Sequence, residues 1–413
     1  MIKFDKFTLK NGLKVIVHKD KSTPIVAINV LYDVGSRDEN PNKTGFAHLF
    51  EHLMFGGSKN IPIYDKPLQK VGGENNAFTN SNITNYYLTL PKDNIETGFW
   101  LESDRMLSLA FSEKSLNVQR NVVIEEYKQR YLNQPYGDVW LMLKPLAYKK
   151  HPYRWSTIGK DISHIENVNL DDVKDFFYKY YAPNNAILTI AGDVETEQIK
   201  ELSEKWFGAI EKRNVPVRNL IKEPEQVEKR ELSVKKDVPF NAIYKAYHMC
   251  SRNDENYYAT DLLSDVLSNG KSSRLYQSLV KKQKIFSNID AYITGDIDNG
   301  LFVITGQLIK GIDMTVANKS IEKELDLIKN NYISEYELTK VKNKVETILE
   351  LSEMSVLNKA MNLSYHELLG DAKYINFESE NYSKVRPEQI NNIAKDIFKE
   401  TNSSTLFYYS EEQ

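Results

Sequence analysis

Two distant stretches of this chain follow the same order of events. From Asp171 an amphipathic run, DDVKDFFYKYY, leads through APNN into the apolar AILTIAGDV; near the C-terminus PEQINNIAKDIFKE leads through TNSS into TLFYYS. Each reads as helix, turn, strand. A chain that closes twice in one manner is built from two halves of one architecture, although identity between the halves is low. Length agrees, because 413 residues exceed one ordinary hydrophobic core and predict two domains. Between the halves, Glu211 to Glu231 is rich in Pro, Glu, Lys and Arg and has no periodicity. The expected division is therefore a domain at 1–210, a linker at 211–231 and a second domain at 232–413.

Within the first half, Asn11-Gly12 precedes LKVIV, the strongest short hairpin signal. Pro24 to Tyr32 is apolar enough for a central strand, and further strands are predicted over 76–79 and 86–90. Thr44 offers an N-cap to a helix through FAHLFEHLMF, with Gly56-Gly57 as its stop. Helices are predicted over 94–107 and 115–132. The second half supplies two strands, paired helices around 255–283, two more strands and a run of helices from Ile312. Strands beside hairpin signals point to α+β, with mainly antiparallel sheets packed with helices.

Composition excludes several functions. Fifty-four basic residues stand against 57 acidic ones, a net charge of −3, with no basic run to hold nucleic acid. No apolar stretch reaches the roughly 18 residues a membrane span needs. The single cysteine, Cys250, makes no internal disulfide and sits in no nucleophile motif. The opening residues MIKFD lack a signal-peptide layout, so a cytoplasmic location is expected, or a periplasmic one if a signal has been removed.

The chemistry concentrates at His48-Leu49-Phe50-Glu51-His52. Positions i and i+4 stack one turn apart on a helix, so both imidazoles reach one ion, with Glu51 beside them. Phe46, Ala47, Leu49, Phe50, Leu53, Met54 and Phe55 surround the motif. Two histidines and a carboxylate in so apolar a stretch carry a desolvation cost that a metal offsets. A catalytic zinc site takes three protein ligands, so one more comes from elsewhere. Glu125 and Glu126 in QRNVVIEEYKQR are the candidates. Glu126 shares a helical stripe with Gln119, Val122 and Val123, whereas Glu125 lines up with Asn121, Lys128 and Gln129, a wetter face.

With these motifs the chain resembles the M16 (pitrilysin-like) metallopeptidases, which include the mitochondrial processing peptidase and insulin-degrading enzyme. HLFEH at 48–52, GGENNAFTNSNITNYYLTLP at 72–91 and QRNVVIEE at 119–126 carry the resemblance, and HPYRWSTIG, YYAPNNAILTIAGDV and SSRLYQSL extend it over nearly the whole chain. It implies two homologous α+β domains forming half of a clamshell, the second without zinc. It selects Glu126 as the third ligand of one Zn²⁺ per chain, and makes Asn76, Ala77, Phe78 and Thr79 an edge strand that pairs with an extended substrate. The implied activity is zinc-dependent endopeptidase cleavage of unfolded peptides or small proteins, with Glu51 as general base. The alternative is a non-catalytic scaffold or partner subunit of such a complex.

Two departures stand out. Gln119 occupies a position where the family often has glutamate. Complete family sites also take an arginine and a tyrosine from the opposing half, in a segment like Leu-Arg-x-x-x-Gly-Leu-x-Tyr. Here that stretch is LVKKQKIFS, with Val280 and Ser287 at those positions. The resemblance therefore implies a heterodimer with a related subunit that supplies the Arg/Tyr pair, a homodimer being the alternative.

Overall fold

A computed structural model describes residues 1–411. Their strands form two sheets. The first contains β1 (Asp5–Thr8), β2 (Lys14–Lys19), β3 (Ile25–Tyr32), β4 (Glu74–Thr79), β5 (Thr84–Pro91) and β6 (Ala186–Gly192), in the order β1-β2-β6-β3-β5-β4. The second contains β7 (Arg230–Lys236), β8 (Ala242–His248), β9 (Phe286–Ile293), β10 (Leu301–Leu308) and β11 (Ser403–Ser410), in the order β7-β11-β8-β10-β9. Each sheet has one parallel pairing, β2 with β6 and β7 with β11, and is otherwise antiparallel. If β1 is set aside, the two strand orders coincide. The α+β expectation holds, and the repeated closing unit is visible as β6 and β11 in matching places.

The chain does not divide at one point. One unit comprises residues 1–130, 155–220 and 350–377; the other comprises 131–154, 221–349 and 378 onward. These units interleave along the chain, unlike the contiguous division expected at 1–210 and 232–413. The reason lies in which sheet each amphipathic helix covers. In the first unit, helix Val356–Leu368 lies on β3 and β6, where Val356 and Ala360 pack against Ala27 and Ala191. Its Ser364 hydroxyl accepts from Asn29 Nδ2 at 2.9 Å and donates to Thr189 Oγ1 at 2.8 Å, satisfying polar groups inside the sheet. In the second unit, helix Val139–Ala147 packs Val139, Leu143 and Ala147 against Ala242, Ala246, Val303 and Leu406.

The expected linker carries no helix or strand from 211 to 229, yet it is held along its length. In the first unit Arg213 donates to the Tyr181 carbonyl at 2.7 Å, and Arg218 binds Asp33 and Asp38. In the second, Glu223 accepts from the Lys149, Lys150 and His151 amides at 2.7, 2.7 and 2.9 Å. Among the described residues no helix is long and apolar enough to cross a membrane.

β3 and β6 are buried along almost their whole length, as sheet strands covered on both faces must be. Opposite helix Val356–Leu368, helix Ile95–Leu107 approaches closely at Gly98, where a Cβ would come within 2.6 Å of Ile28 Cδ1. A side chain at this position would force Ile28 to shift.

Candidate metal centre

The HLFEH motif lies on helix Phe46–Leu53. Phe46, Ala47, Leu49, Phe50 and Leu53 form its buried side, so the helical period turns His48, Glu51 and His52 together to the other side. The buried side is held by rings: Phe50 stacks on Tyr181 with centroids 5.0 Å apart and lies 5.0 Å from Phe176. Behind it the Tyr86 hydroxyl donates to the Phe50 carbonyl at 3.3 Å, and the Arg105 guanidinium lies 4.3 Å from the Tyr86 ring. The charge of Arg105 is met by Glu102, which also accepts from the Tyr64 hydroxyl at 2.5 Å.

The third group comes from helix Glu113–Tyr127, whose last turn brings Glu126 to the histidines. Glu126 Oε2 is 3.6 Å from His48 Nε2 and 3.5 Å from His52 Nε2, and the three donor atoms all lie within 4.8 Å of one another. Tetrahedral zinc with bonds of about 2.0–2.2 Å has ligand–ligand edges of about 3.3–3.5 Å. The donor spacing fits such an ion, and two imidazoles with one carboxylate suit zinc that keeps an open position. Burial pulls His48 down to about 4, against the opposing pull of Glu126, so the ring is neutral near pH 7, as a ligand must be. Glu126 is held below the usual carboxylate range, first by its bond with His52. The Nδ1 atom of His48 is buried without a hydrogen-bond partner.

The neighbouring Glu125 points away: its side chain is 59% exposed and pairs with Lys128 at 2.8 Å. The expected inward stripe holds for Val123 and Glu126 but not for Val122, which is exposed. Gln119 is half-buried near Gly56. Arg130, in the short π-helical continuation Lys128–Leu132, reaches back to the free oxygen of Glu126, with Nη1 at 2.8 Å from Oε1. No sequence argument singled out Arg130.

Glu51 is half-buried beside this cluster. Burial raises its pKa, while the Thr79 hydroxyl and His52 pull it down. Thr79 belongs to β4, the outermost strand of its sheet, whose only strand partner among the described residues is β5. The strand alternates, with Asn76 and Phe78 exposed and Ala77 and Thr79 half-buried, and it packs against the motif helix. Its outer edge pairs with no strand among the described residues, and its Thr79 lies beside Glu51. In the second unit, half-buried Val280 packs onto the core, and exposed Ser287 donates to the Gln307 carbonyl at 3.2 Å. Cys250 is half-buried there and burial raises its thiol pKa, which disfavours the nucleophilic thiolate.

The chain belongs to peptidase family M16. Residues 14–160 match the family described as "Insulinase (Peptidase family M16)", and residues 167–345 match "Peptidase M16 inactive domain". The chain is 32% identical to "Zinc protease PqqE" of Helicobacter pylori over 98% of its own length and 92% of that protein. It is 26% identical to "Uncharacterized zinc protease YmxG" of Bacillus subtilis, over 97% of each. The crystal structure of a protease from Helicobacter pylori superposes with a TM-score of 0.94 at 31% identity, covering 99% of this chain and 100% of that one.

Proposed function

We propose that the chain is a zinc-dependent endopeptidase in which His48, His52 and Glu126 hold one Zn²⁺ and Glu51 is the general base. The observation that carries this reading is the convergence of three donor atoms within 4.8 Å, with a half-buried carboxylate beside them. Bound zinc would polarise the scissile carbonyl and acidify its water. Glu51 would take that water's proton and deliver it to the leaving amine, a role suited to a carboxylate whose pKa burial has raised. The open edge of β4, from Asn76 to Thr79, would take an extended peptide as one more strand, which favours unfolded substrates.

The working form would be a heterodimer. Negative charge grows on the carbonyl oxygen as the tetrahedral intermediate forms, and preorganised donors there are worth about 3 kcal/mol. Val280 and Ser287, at the positions where the family has Arg and Tyr, supply neither a cation nor a phenol. Zinc content and cleavage of an unstructured peptide by the purified chain, with and without chelator, test the reading. Stoichiometric zinc with chelator-sensitive cleavage supports it; the absence of zinc binding overturns it.

A further inference from the structure

The motif helix begins without a cap of its own. Its N-cap, Gly45, adopts left-handed φ of 89° and has no side chain to accept from the first turn. Thr44, expected to cap it, is engaged elsewhere: its hydroxyl accepts from the Lys160 amide at 2.9 Å and lies 2.9 Å from His164 Nδ1. Two amides at this start are met from upstream. Glu39 Oε2 accepts from Gly45 N at 3.0 Å and Oε1 from Ala47 N at 2.9 Å. Glu39 is only 6% exposed.

The loop that carries Glu39 is fixed in turn. Asp38 accepts from Gly35 N at 3.0 Å, and Arg218 Nε donates to Asp38 at 2.7 Å. The same guanidinium donates to Asp33 Oδ1 at 2.9 Å, and Trp155 Nε1 donates to the Ser36 carbonyl at 2.8 Å. A continuous run of bonds thus leads from Arg218 through Asp38 and Glu39 to the backbone immediately before His48.

We infer that Glu39 is a positioning residue for the metal centre: it sets where His48 stands relative to His52 and Glu126, with Asp38 and Arg218 holding it from behind. This rests on the metal reading proposed above. His48 lies in the first turn of an eight-residue helix, and short helices fray from uncapped ends. His52 and Glu126 stand in the last turns of their helices, so a loosened start displaces one ligand and leaves the other two.

The test compares Glu39→Ala and the gentler Glu39→Gln, which keeps one acceptor, with Ser355→Ala. Ser355 caps helix Val356–Leu368 of the same unit, which carries no ligand. Zinc affinity is read by chelator competition, ligand geometry by the visible spectrum of the cobalt(II) form, and exchange of amides 45–48 in metal-free protein by mass spectrometry. Glu39→Ala is expected to weaken zinc about 10–100-fold, the usual effect of losing an outer support, with Glu39→Gln in between. Amides 45–48 then exchange faster, the cobalt spectrum shifts, and the loss combines less than additively with Arg218→Ala. Ser355→Ala lowers thermal stability without changing zinc affinity. Wild-type-like zinc affinity in Glu39→Ala, or an equal loss in Ser355→Ala, overturns the inference alone. A wild-type chain that binds no zinc overturns the metal reading and, with it, this inference.

Discussion

Replacing Glu126 and Glu125 separately by alanine gives a sharp contrast between adjacent carboxylates. Glu126 Oε2 stands 3.5–3.6 Å from two imidazole nitrogens, whereas Glu125 is 59% exposed and pairs with Lys128. Apparent zinc free energies of about 10–16 kcal/mol, shared among four ligands, make one ligand worth about 3 kcal/mol. Water can fill the vacated position and return part of that, so the loss expected for Glu126→Ala is on the order of 100-fold in affinity. Freed Arg130, already 72% exposed, adds little penalty of its own. Glu125→Ala removes an exposed helical pair worth about 0.3 kcal/mol, less than a twofold effect. Competition with a chromophoric chelator, on protein stripped of metal, reads both numbers. Equal affinities for the two variants, or a larger loss in Glu125→Ala, would refute the assignment of Glu126.

Glu51→Gln is expected to retain zinc while cleavage drops by about 10²–10⁴-fold, since the amide cannot accept the water's proton; near-normal turnover removes Glu51 from the mechanism. The zinc-loaded chain alone is expected to cleave an unstructured peptide slowly, and faster once a related subunit carrying the Arg/Tyr segment is added; vigorous cleavage by the lone chain sinks the heterodimer. Acid should loosen the start of helix Glu335–Ser352, because Arg274 bonds both oxygens of Glu337, at 2.8 and 3.0 Å, and holds its pKa at about 2. A depressed folded pKa stabilises above the unfolded value and is lost as pH falls toward about 2, so Glu337→Gln should cost up to about 2 kcal/mol near neutrality and little near pH 2. Urea midpoints of the two proteins at both pH values check this; an equal difference at both counts against it.

Much of the fold was legible because its signals are local. Alternation and apolar runs marked β2, β3, β5, β6 and β11, and the 3.6-residue period marked the helices between them. Two features escaped. The exchange of residues 131–154 and 350–377 depends on which sheet an amphipathic face covers, and hydrophobic period reports that a face exists without naming its partner. The start of the motif helix escaped for a related reason. Thr44 obeys the local capping preference, but the adjacent Gly45 takes left-handed φ and the accepting group arrives from Glu39, a pairing set by a loop conformation that no spacing rule encodes. The proposed third ligand was half legible: periodicity favoured Glu126, yet placed exposed Val122 on the same inward stripe.

The repeated strand order shows where the chemistry resides. In the first sheet the chain passes from β3 through helix Phe46–Leu53 before reaching β4; in the second it passes from β8 through helix Tyr257–Ser268 before reaching β9. The two helices occupy corresponding places in one topology, but the second reads YYATDLLSDVLS and offers no histidine. Its acids serve the fold instead. Asp261 accepts from the Tyr382 hydroxyl at 2.6 Å, and Asp265, pushed up to about 6 by burial, accepts from Asn269 Nδ2. A carboxylate with a raised pKa therefore occurs in both units, and by itself it distinguishes neither. What distinguishes the first is the convergence of two imidazoles and a second carboxylate from another helix onto one point beside an open sheet edge. Fold similarity accounts for the scaffold, and the proposed activity rests on those few side chains and on whatever holds them in register.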